Sequence, residues 1–192
     1  MLRRLAGLLS LVTVVFLAGC GAPGGPVTAT PEEVSQLATA IKALGPQVDP
    51  EEAERAARVA YAQARNLAIE YEIEDPPLVH NSKVNMGLKP RGLCYHWAKD
   101  MEWRLRDERF ETLELHRAIA NADNPFRIEH STAIISARGD TFDQGIVLDP
   151  WRKGGALFWD EVADDTRYAW VRRDIVMEQK RRRREAEAAL EG

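Results

Sequence analysis

The sequence predicts an α+β domain in which N-terminal helices and a Cys-bearing core helix pack on an antiparallel β-sheet, and three observations carry the prediction. Two helix-start signals, Thr30-Pro31-Glu32-Glu33 and Asp49-Pro50-Glu51-Glu52, each combine a capping side chain, Pro at the first helical position and acids at the positive end of the dipole. A third helical stripe begins at Cys94 and continues through Trp97, Ala98, Met101 and Leu105 at spacings of three and four. After Asp107 the period falls to two, and strand-like runs separated by turn signals follow.

Taken in order, the first helix runs to Leu44, stopped by Gly45-Pro46. The second carries Ala53, Ala56, Ala57, Ala60, Ala64, Leu67, Ala68 and Tyr71 at helical spacing, a stripe of mostly small residues suited to close packing, and it ends before Asp75-Pro76-Pro77. The stretch from His80 to Gly92 reads as turn-rich, and the Cys94 helix follows it. Leu113, Leu115, Arg117 and Ile119 alternate with Glu114, His116 and Ala118 as a first strand. Asn121-Ala122-Asp123-Asn124-Pro125 makes a turn, Arg127 to Ala137 a second strand, and Gly145 to Asp149 a third that Pro150 stops. Trp151, Phe158, Trp159, Tyr168 and Trp170 read as aromatics that close a core. Asp174 to Leu190 reads as a solvated helix whose Lys180–Arg184 run is balanced by Arg181–Glu185 and Arg183–Glu187 pairs. The implied organisation is a processed segment over 1–19, a flexible tether over 20–30, a helical region over 31–75, a core over 76–173 and a charged tail helix over 174–192.

The N-terminal segment is an export signal by its residues. Arg3 and Arg4 precede an apolar run from Leu8 to Leu17, too short for a spanning helix of about 20 residues. Its ending, Leu17-Ala18-Gly19-Cys20, resembles the lipobox of bacterial lipoproteins. That resemblance implies cleavage before Cys20, diacylation of its thiol and attachment of the chain to a membrane through this lipid. Gly21 rather than Asp follows, which by the same resemblance points to the periplasmic leaflet of the outer membrane. Loss of Arg3 and Arg4 takes the net charge from −4 to −6, and an acidic chain of this kind is no general nucleic-acid binder. Gly24-Gly25-Pro26 and its neighbours have little to bury and read as the tether.

With Cys20 lipidated, Cys94 is left as a lone thiol in an exported chain, without a disulfide partner. A thiol is nucleophilic as its thiolate, which a helix N-terminus and a neighbouring imidazolium both favour. Cys94 opens a helix; His130 lies on the second strand; Asp149 closes the third and can orient the ring from the adjacent strand. Asp140 and Asp143 are rival orienters, placed in a turn. Competing readings are an inert core thiol at Cys94, a satisfied strand histidine at His130 and a turn-starting Asp149-Pro150. Cys94, His96, His116 and His130 do not have structural-zinc spacing, and no CxxC pair exists, so no metal or other cofactor is expected. His80, His96 and His116 read as solvated.

Gly92-Leu93-Cys94-Tyr95-His96-Trp97-Ala98, then His130-Ser131-Thr132-Ala133, then Val147-Leu148-Asp149-Pro150-Trp151 resemble the transglutaminase-like branch of the papain-like cysteine-protease superfamily over about residues 78 to 170. The resemblance implies acyl transfer through a thioester, either hydrolysis of peptide or amide bonds or transfer to an amine. It assigns Cys94 as nucleophile, His130 as general base and acid, and Asp149 as orienter. No glutamine lies just upstream of Cys94, so Asn81 and Asn85 are the candidate oxyanion amides beside the Cys94 backbone N–H. Trp97 and Trp151, flanking Cys94 and Asp149, are the aromatics expected to touch substrate. The expected partner is a peptide or protein, with cell-envelope material suggested by location alone. Two other readings stay open: a non-catalytic envelope-binding or assembly lipoprotein that retains the fold, and a thiol hydrolase of the cell-wall-amidase kind.

Overall fold

A computed structural model describes residues 24–191; the expected export signal and the expected lipidation site at Cys20 lie outside the described residues. The chain is α+β. Helices α1 (Pro31–Ala43), α2 (Pro50–Glu70), α3 (Pro77–Asn85) and α4 (Cys94–Arg106) precede strands β1 (Leu113–Ala120), β2 (His130–Ala137), β3 (Ile146–Lys153), β4 (Ala156–Glu161) and β5 (Val171–Arg172), and α5 (Arg173–Glu191) closes the order. Among the described residues no helix is long and apolar enough to cross a membrane.

Both leading helices start as their sequences predict. Thr30 and Glu33 form a reciprocal capping box, with Glu33 N–H on Thr30 Oγ1 and Thr30 N–H on the Glu33 carboxylate. Asp49 Oδ1 accepts from Glu51 and Glu52 N–H at 2.8 and 2.9 Å. The small-residue stripe of α2 is buried against α1 and α4, so Leu37, Ile41, Ala56, Ala60 and Ala64 share one core with Met101, Leu105, Ile135 and Leu148. Helices α1, α2 and α4 therefore form one layer on one face of the sheet.

The sheet runs β4-β3-β2-β1-β5. Its first three strands form the expected antiparallel sheet, β4 adds an unexpected fourth strand on the outer side of β3, and β5 returns to the far edge of β1 through Ala118↔Arg172 and Ile119↔Val171. The face away from the helices buries Ala118, Ala120, Ile134 and Val147 under Tyr168 and Trp170 of the β4–β5 segment. Of the five aromatics read as closing a core, Phe158, Tyr168 and Trp170 do so on this second face, while Trp159 packs against the helix-side core and Trp151 against Tyr71 and Trp97.

Several elements differ from expectation. The stretch from His80 to Gly92 is not all turn: Pro77 opens α3, with no apolar stripe to announce it, and buried His80 anchors it. Pro150 does not stop β3. Pairing with β2 ends at Ala133↔Leu148, so the missing Pro150 N–H costs no ladder bond on that side, and β3 continues against β4 through an irregularity between Asp149 and Lys153. The expected second strand starts at His130 rather than Arg127. The tether is, from Gly24 onward, laid on the body: Gly25 N–H donates to Gly154 O at 2.7 Å, and Arg65 to Thr28 Oγ1 at 3.1 Å. Gly24 sits so close that a Cβ there would lie 2.3 Å from Asp75 O.

One buried carboxylate ties the two layers together. Glu52, on the first turn of α2, accepts from Glu111 N–H, Thr112 N–H and Thr112 Oγ1 at 2.7, 2.8 and 2.6 Å, fixing the chain as it enters β1. Burial opposes its charge, but these hydrogen bonds outweigh burial and hold its pKa below the ordinary value. With the folded value depressed, the stabilisation is present above pH 4.5 and is lost as pH falls through the folded pKa. Glu52→Ala leaves two backbone donors unpaired and is expected to cost about 2–3 kcal/mol in urea unfolding, with a shallower loss of stability in acid than the parent protein. An unchanged urea midpoint would show that water serves these donors equally well.

Candidate active site

Cys94 opens α4, and the loop before it is built to hold it there. Gly92 adopts φ +119°, a backbone conformation L side chains rarely take, and a Cβ at this position would meet His80 Nε2 at 2.4 Å. The His80 ring, 1% exposed, donates from Nε2 to Arg91 O at 2.8 Å. His96 Nδ1 accepts from Gly92 and Leu93 N–H at 3.3 and 3.2 Å, capping the helix from its third residue. This cap requires an unprotonated nitrogen, and burial, seconded by Arg91, lowers the His96 pKa. Trp97 Nε1 donates to Gly92 O at 2.9 Å. Arg91 and Tyr71 both bond Asp100 Oδ2 at 2.5 Å, fastening the loop to α4 and the end of α2.

The structure corrects four expectations. His80 and His96 are not solvated; each holds the loop before Cys94. His116 is half-buried and bonds Ser136 Oγ at 2.8 Å rather than facing water. Trp97, 1% exposed, packs against Tyr71 and pins Gly92, so it cannot touch a substrate.

His130 and Asp149 meet at one end of the sheet. Extending the β2–β3 register past Ala133↔Leu148 sets Thr132 opposite Asp149, with His130 two residues away on the same face. The imidazole Nε2–H donates to Asp149 Oδ2 at 2.6 Å, and both side chains are 1% exposed. The ring is boxed by Trp151, Tyr168 and Trp170 at centroid distances of 4.6, 4.7 and 5.5 Å. Its other nitrogen, Nδ1, is buried and has no hydrogen-bond partner among the described residues. Burial alone would push the imidazole down. The charge and hydrogen bond of Asp149, joined by the neighbouring Cys94 sulfur, outweigh it and raise the pKa to about 9.

Cys94 is half-buried and directs its thiol toward the backbone carbonyl of Glu129, the residue before His130, at 3.7 Å. It packs against the cluster of Tyr71, Ile73, Trp97 and Trp151. The structure thus brings Cys94, His130 and Asp149 into one cluster, with the unpartnered ring nitrogen left on the side away from the carboxylate. Asp140 and Asp143 lie past the opposite end of β2, and eight residues at the strand rise put about 25 Å between the two ends.

The two candidate amides are not equivalent. Asn81 lies on α3 and accepts from Trp151 Nε1 at 3.0 Å. An indole N–H can only donate, so the contact fixes Asn81 Oδ1 on Trp151 and frees Nδ2. Trp151 itself is 7% exposed and walls the imidazole, which makes it a support of the site more than a contact surface. Asn85, one turn further along α3, is exposed and makes no side-chain hydrogen bond among the described residues. A cavity of about 630 Å³ between α1 and α2, lined by Val34, Ala38, Lys42 and Arg58 among others, contains none of this cluster. Sequence reasoning missed Arg152 and Asp165, which extend the cluster behind Asp149. It also missed the capping role of His96, though that residue's place three beyond Leu93 was a usable signal.

Scans against protein-family models, curated proteins and solved structures find no match to this chain.

The close approach at Gly92 yields a direct test. Gly92→Ala forces a Cβ into the His80 ring and a strained φ, a backbone cost of about 1–3 kcal/mol. A fall in thermal midpoint together with faster exchange of the amide protons at positions 92 and 93 than in the parent protein is expected. Unchanged midpoint and exchange would show that the loop does not depend on this contact.

Proposed function

We propose that this protein is a cysteine hydrolase or acyltransferase, acting on peptide or amide bonds through a Cys94–His130–Asp149 triad and a thioester, and held by a lipid on Cys20 in the bacterial cell envelope, facing the periplasm. The observation that carries the reading is the buried imidazole, bonded to the Asp149 carboxylate through one nitrogen, with the Cys94 sulfur neighbouring the ring and the other nitrogen without a partner among the described residues. His80 also leaves a buried Nδ1 without a partner among the described residues, so what distinguishes His130 is the carboxylate on its Nε2 together with the neighbouring Cys94 thiol. The resemblance around Cys94, His130 and Asp149 supports the same class of chemistry, and the lipobox-like Leu17-Ala18-Gly19-Cys20 supports the location.

In this mechanism the Cys94 thiolate attacks the substrate carbonyl carbon, and the carbonyl π electrons move onto oxygen. The Cys94 backbone N–H, an unpaired first-turn amide, and Asn81 Nδ2 receive the oxyanion. Collapse breaks the C–N bond; the leaving amine takes the proton from His130 Nδ1, leaving a thioester and a neutral imidazole. Water or an acceptor amine then attacks the thioester while Nδ1 takes its proton, and the acyl product departs as the thiolate and imidazolium are restored. Asp149 holds Nε2–H throughout, so the ring stays in the tautomer that leaves Nδ1 facing sulfur.

The reading is tested with p-nitrophenyl acetate, whose acyl group is small enough to report the nucleophile without knowledge of the natural substrate. A burst of nitrophenolate stoichiometric with protein, and a single acetyl group on Cys94 by mass spectrometry, are expected; Cys94→Ala abolishes both. Asn81→Ala is expected to slow the burst about a hundredfold, as loss of one oxyanion donor does elsewhere, while Asn85→Ala leaves it within a factor of two. Absence of a burst in protein that is folded by circular dichroism would falsify the reading.

The pH dependence follows from His130. Its folded pKa is raised from 6.5 to about 9, so the protonated ring stabilises the fold fully below pH 6.5, and that contribution is lost as pH rises through about 9. Steps that need imidazolium as acid decline over the same alkaline range. Amide turnover is expected to fall with a limb near pH 9, and His130→Gln to remove that limb from the stability profile.

A further inference from the structure

The charge pairing behind the nucleophile does not stop at Asp149. Arg152, on the same strand, donates Nε to Asp149 Oδ2 and its backbone N–H to Asp149 Oδ1, both at 3.1 Å. Its two remaining nitrogens grip Asp165 as a fork, Nη1 to Oδ1 at 3.1 Å and Nη2 to Oδ2 at 2.7 Å. Asp165 accepts further from Trp170 Nε1 at 2.9 Å and Arg167 N–H at 3.3 Å. The Arg152 and Asp165 side chains are 7% and 2% exposed, and the guanidinium lies between Phe158 at 3.9 Å and Tyr168 at 4.8 Å. Tyr168 and Trp170 also wall the imidazole.

Burying an ion pair is costly, and apolar side chains of similar volume stabilise a core as well or better. Stability therefore gives no reason for this arrangement. Geometry does: three donors lock the Asp149 carboxylate, so it cannot rotate away from Nε2. Charge does as well. Arg152 alone would draw on the Asp149 charge that the imidazolium needs, and Asp165 offsets it. Burial pushes Arg152 down and Asp165 up, and their mutual pairing reverses both.

We propose that Arg152 and Asp165 are positioning residues for the Cys94–His130 pair, forming a buried line of alternating charge in which Arg152 aims the Asp149 carboxylate and Asp165 neutralises Arg152. The proposal deepens the acyl-transfer reading and rests on it. The ionisable groups that face the imidazole are Asp149 and Arg152 from β3, Cys94 from α4, and Tyr168 and Asp165 from the β4–β5 segment; the Glu129 carboxylate is turned away to Lys180.

The test is the sign of the change in His130 titration, read by NMR on full-length protein carrying isotope-labelled histidine, without substrate. Asp165→Asn keeps an acceptor for Trp170 but leaves Arg152 unbalanced, so the His130 pKa falls, by about one unit. Arg152→Gln leaves Asp149 and Asp165 unneutralised, so it rises. The double variant, Arg152→Gln with Asp165→Asn, restores the local charge and returns the pKa to within about half a unit of the parent value. A purely structural role predicts shifts of one sign in both single variants and the largest displacement in the double. Should Arg152→Gln not fold, Asp165→Asn and the charge-balanced double still decide, because a downward shift in the first that the second does not reverse overturns the proposal. Iodoacetamide labelling of Cys94 at pH 6 separates the two layers of argument. Opposite signs with an inert thiol would sink the acyl-transfer reading and leave the charge line standing; like signs with a reactive thiol would do the reverse.

Discussion

The hydrogen bond from His130 Nε2 to Asp149 Oδ2, 2.6 Å long with both side chains sealed from solvent, is the interaction around which one end of this sheet is organised. A carboxylate so placed needs compensation for lost hydration, since an isolated buried charge costs far more than any single contact returns. The ring supplies part of it, and Arg152 supplies the rest from behind. The aromatic box of Trp151, Tyr168 and Trp170 follows from the same need, because it excludes water that would otherwise screen the pair. The β4–β5 segment is therefore more than a connection back to the edge of β1. It delivers Asp165, Tyr168 and Trp170 to the underside of the site.

The Cys94 side is held by different means. Cys94 has no charged partner of its own in sequence; its position is set by backbone contacts in the loop before it. His80 on the Arg91 carbonyl, His96 on the Gly92 and Leu93 amides, and Trp97 on the Gly92 carbonyl each use a side chain to fix a main-chain group. A helix N-terminus held this way presents its free amides at a defined place, which an oxyanion requires. The helix and the strands come from separate parts of the chain, and the common core of α1, α2, α4 and the sheet fixes one against the other.

Legibility in the sequence divided along the same line. The helix starts at Thr30 and Asp49, the stripe below Cys94 and the alternating strands were readable because each is local: a cap, a period of 3.6 or a period of two. Helix α3 was not, since its residues have no apolar stripe and its anchor is one histidine buried by a distant loop. Strand β4 was read only as aromatics. Pro150 was taken for a stop because the sequence does not say that β2 has already ended its pairing there. Three histidines were read as solvated for want of partners that lie 3 to 20 residues away.

Residue order and type were enough to nominate Cys94 and His130, with Asp149 ahead of its rivals Asp140 and Asp143, because the proposed chemistry needs a thiol and an imidazole and the chain offers few others of either, though many aspartates. They also sufficed for the α+β class, which follows from two hydrophobic periods appearing in succession. Which carboxylate meets the imidazole, which asparagine has an amide free, and that Arg152 and Asp165 stand behind both were decided only by tertiary contact. The reason is range. Strand register, a two-residue irregularity in β3 and the return of the β4–β5 segment beneath the sheet bring together groups 13 to 70 residues apart, and no local pattern encodes such a meeting.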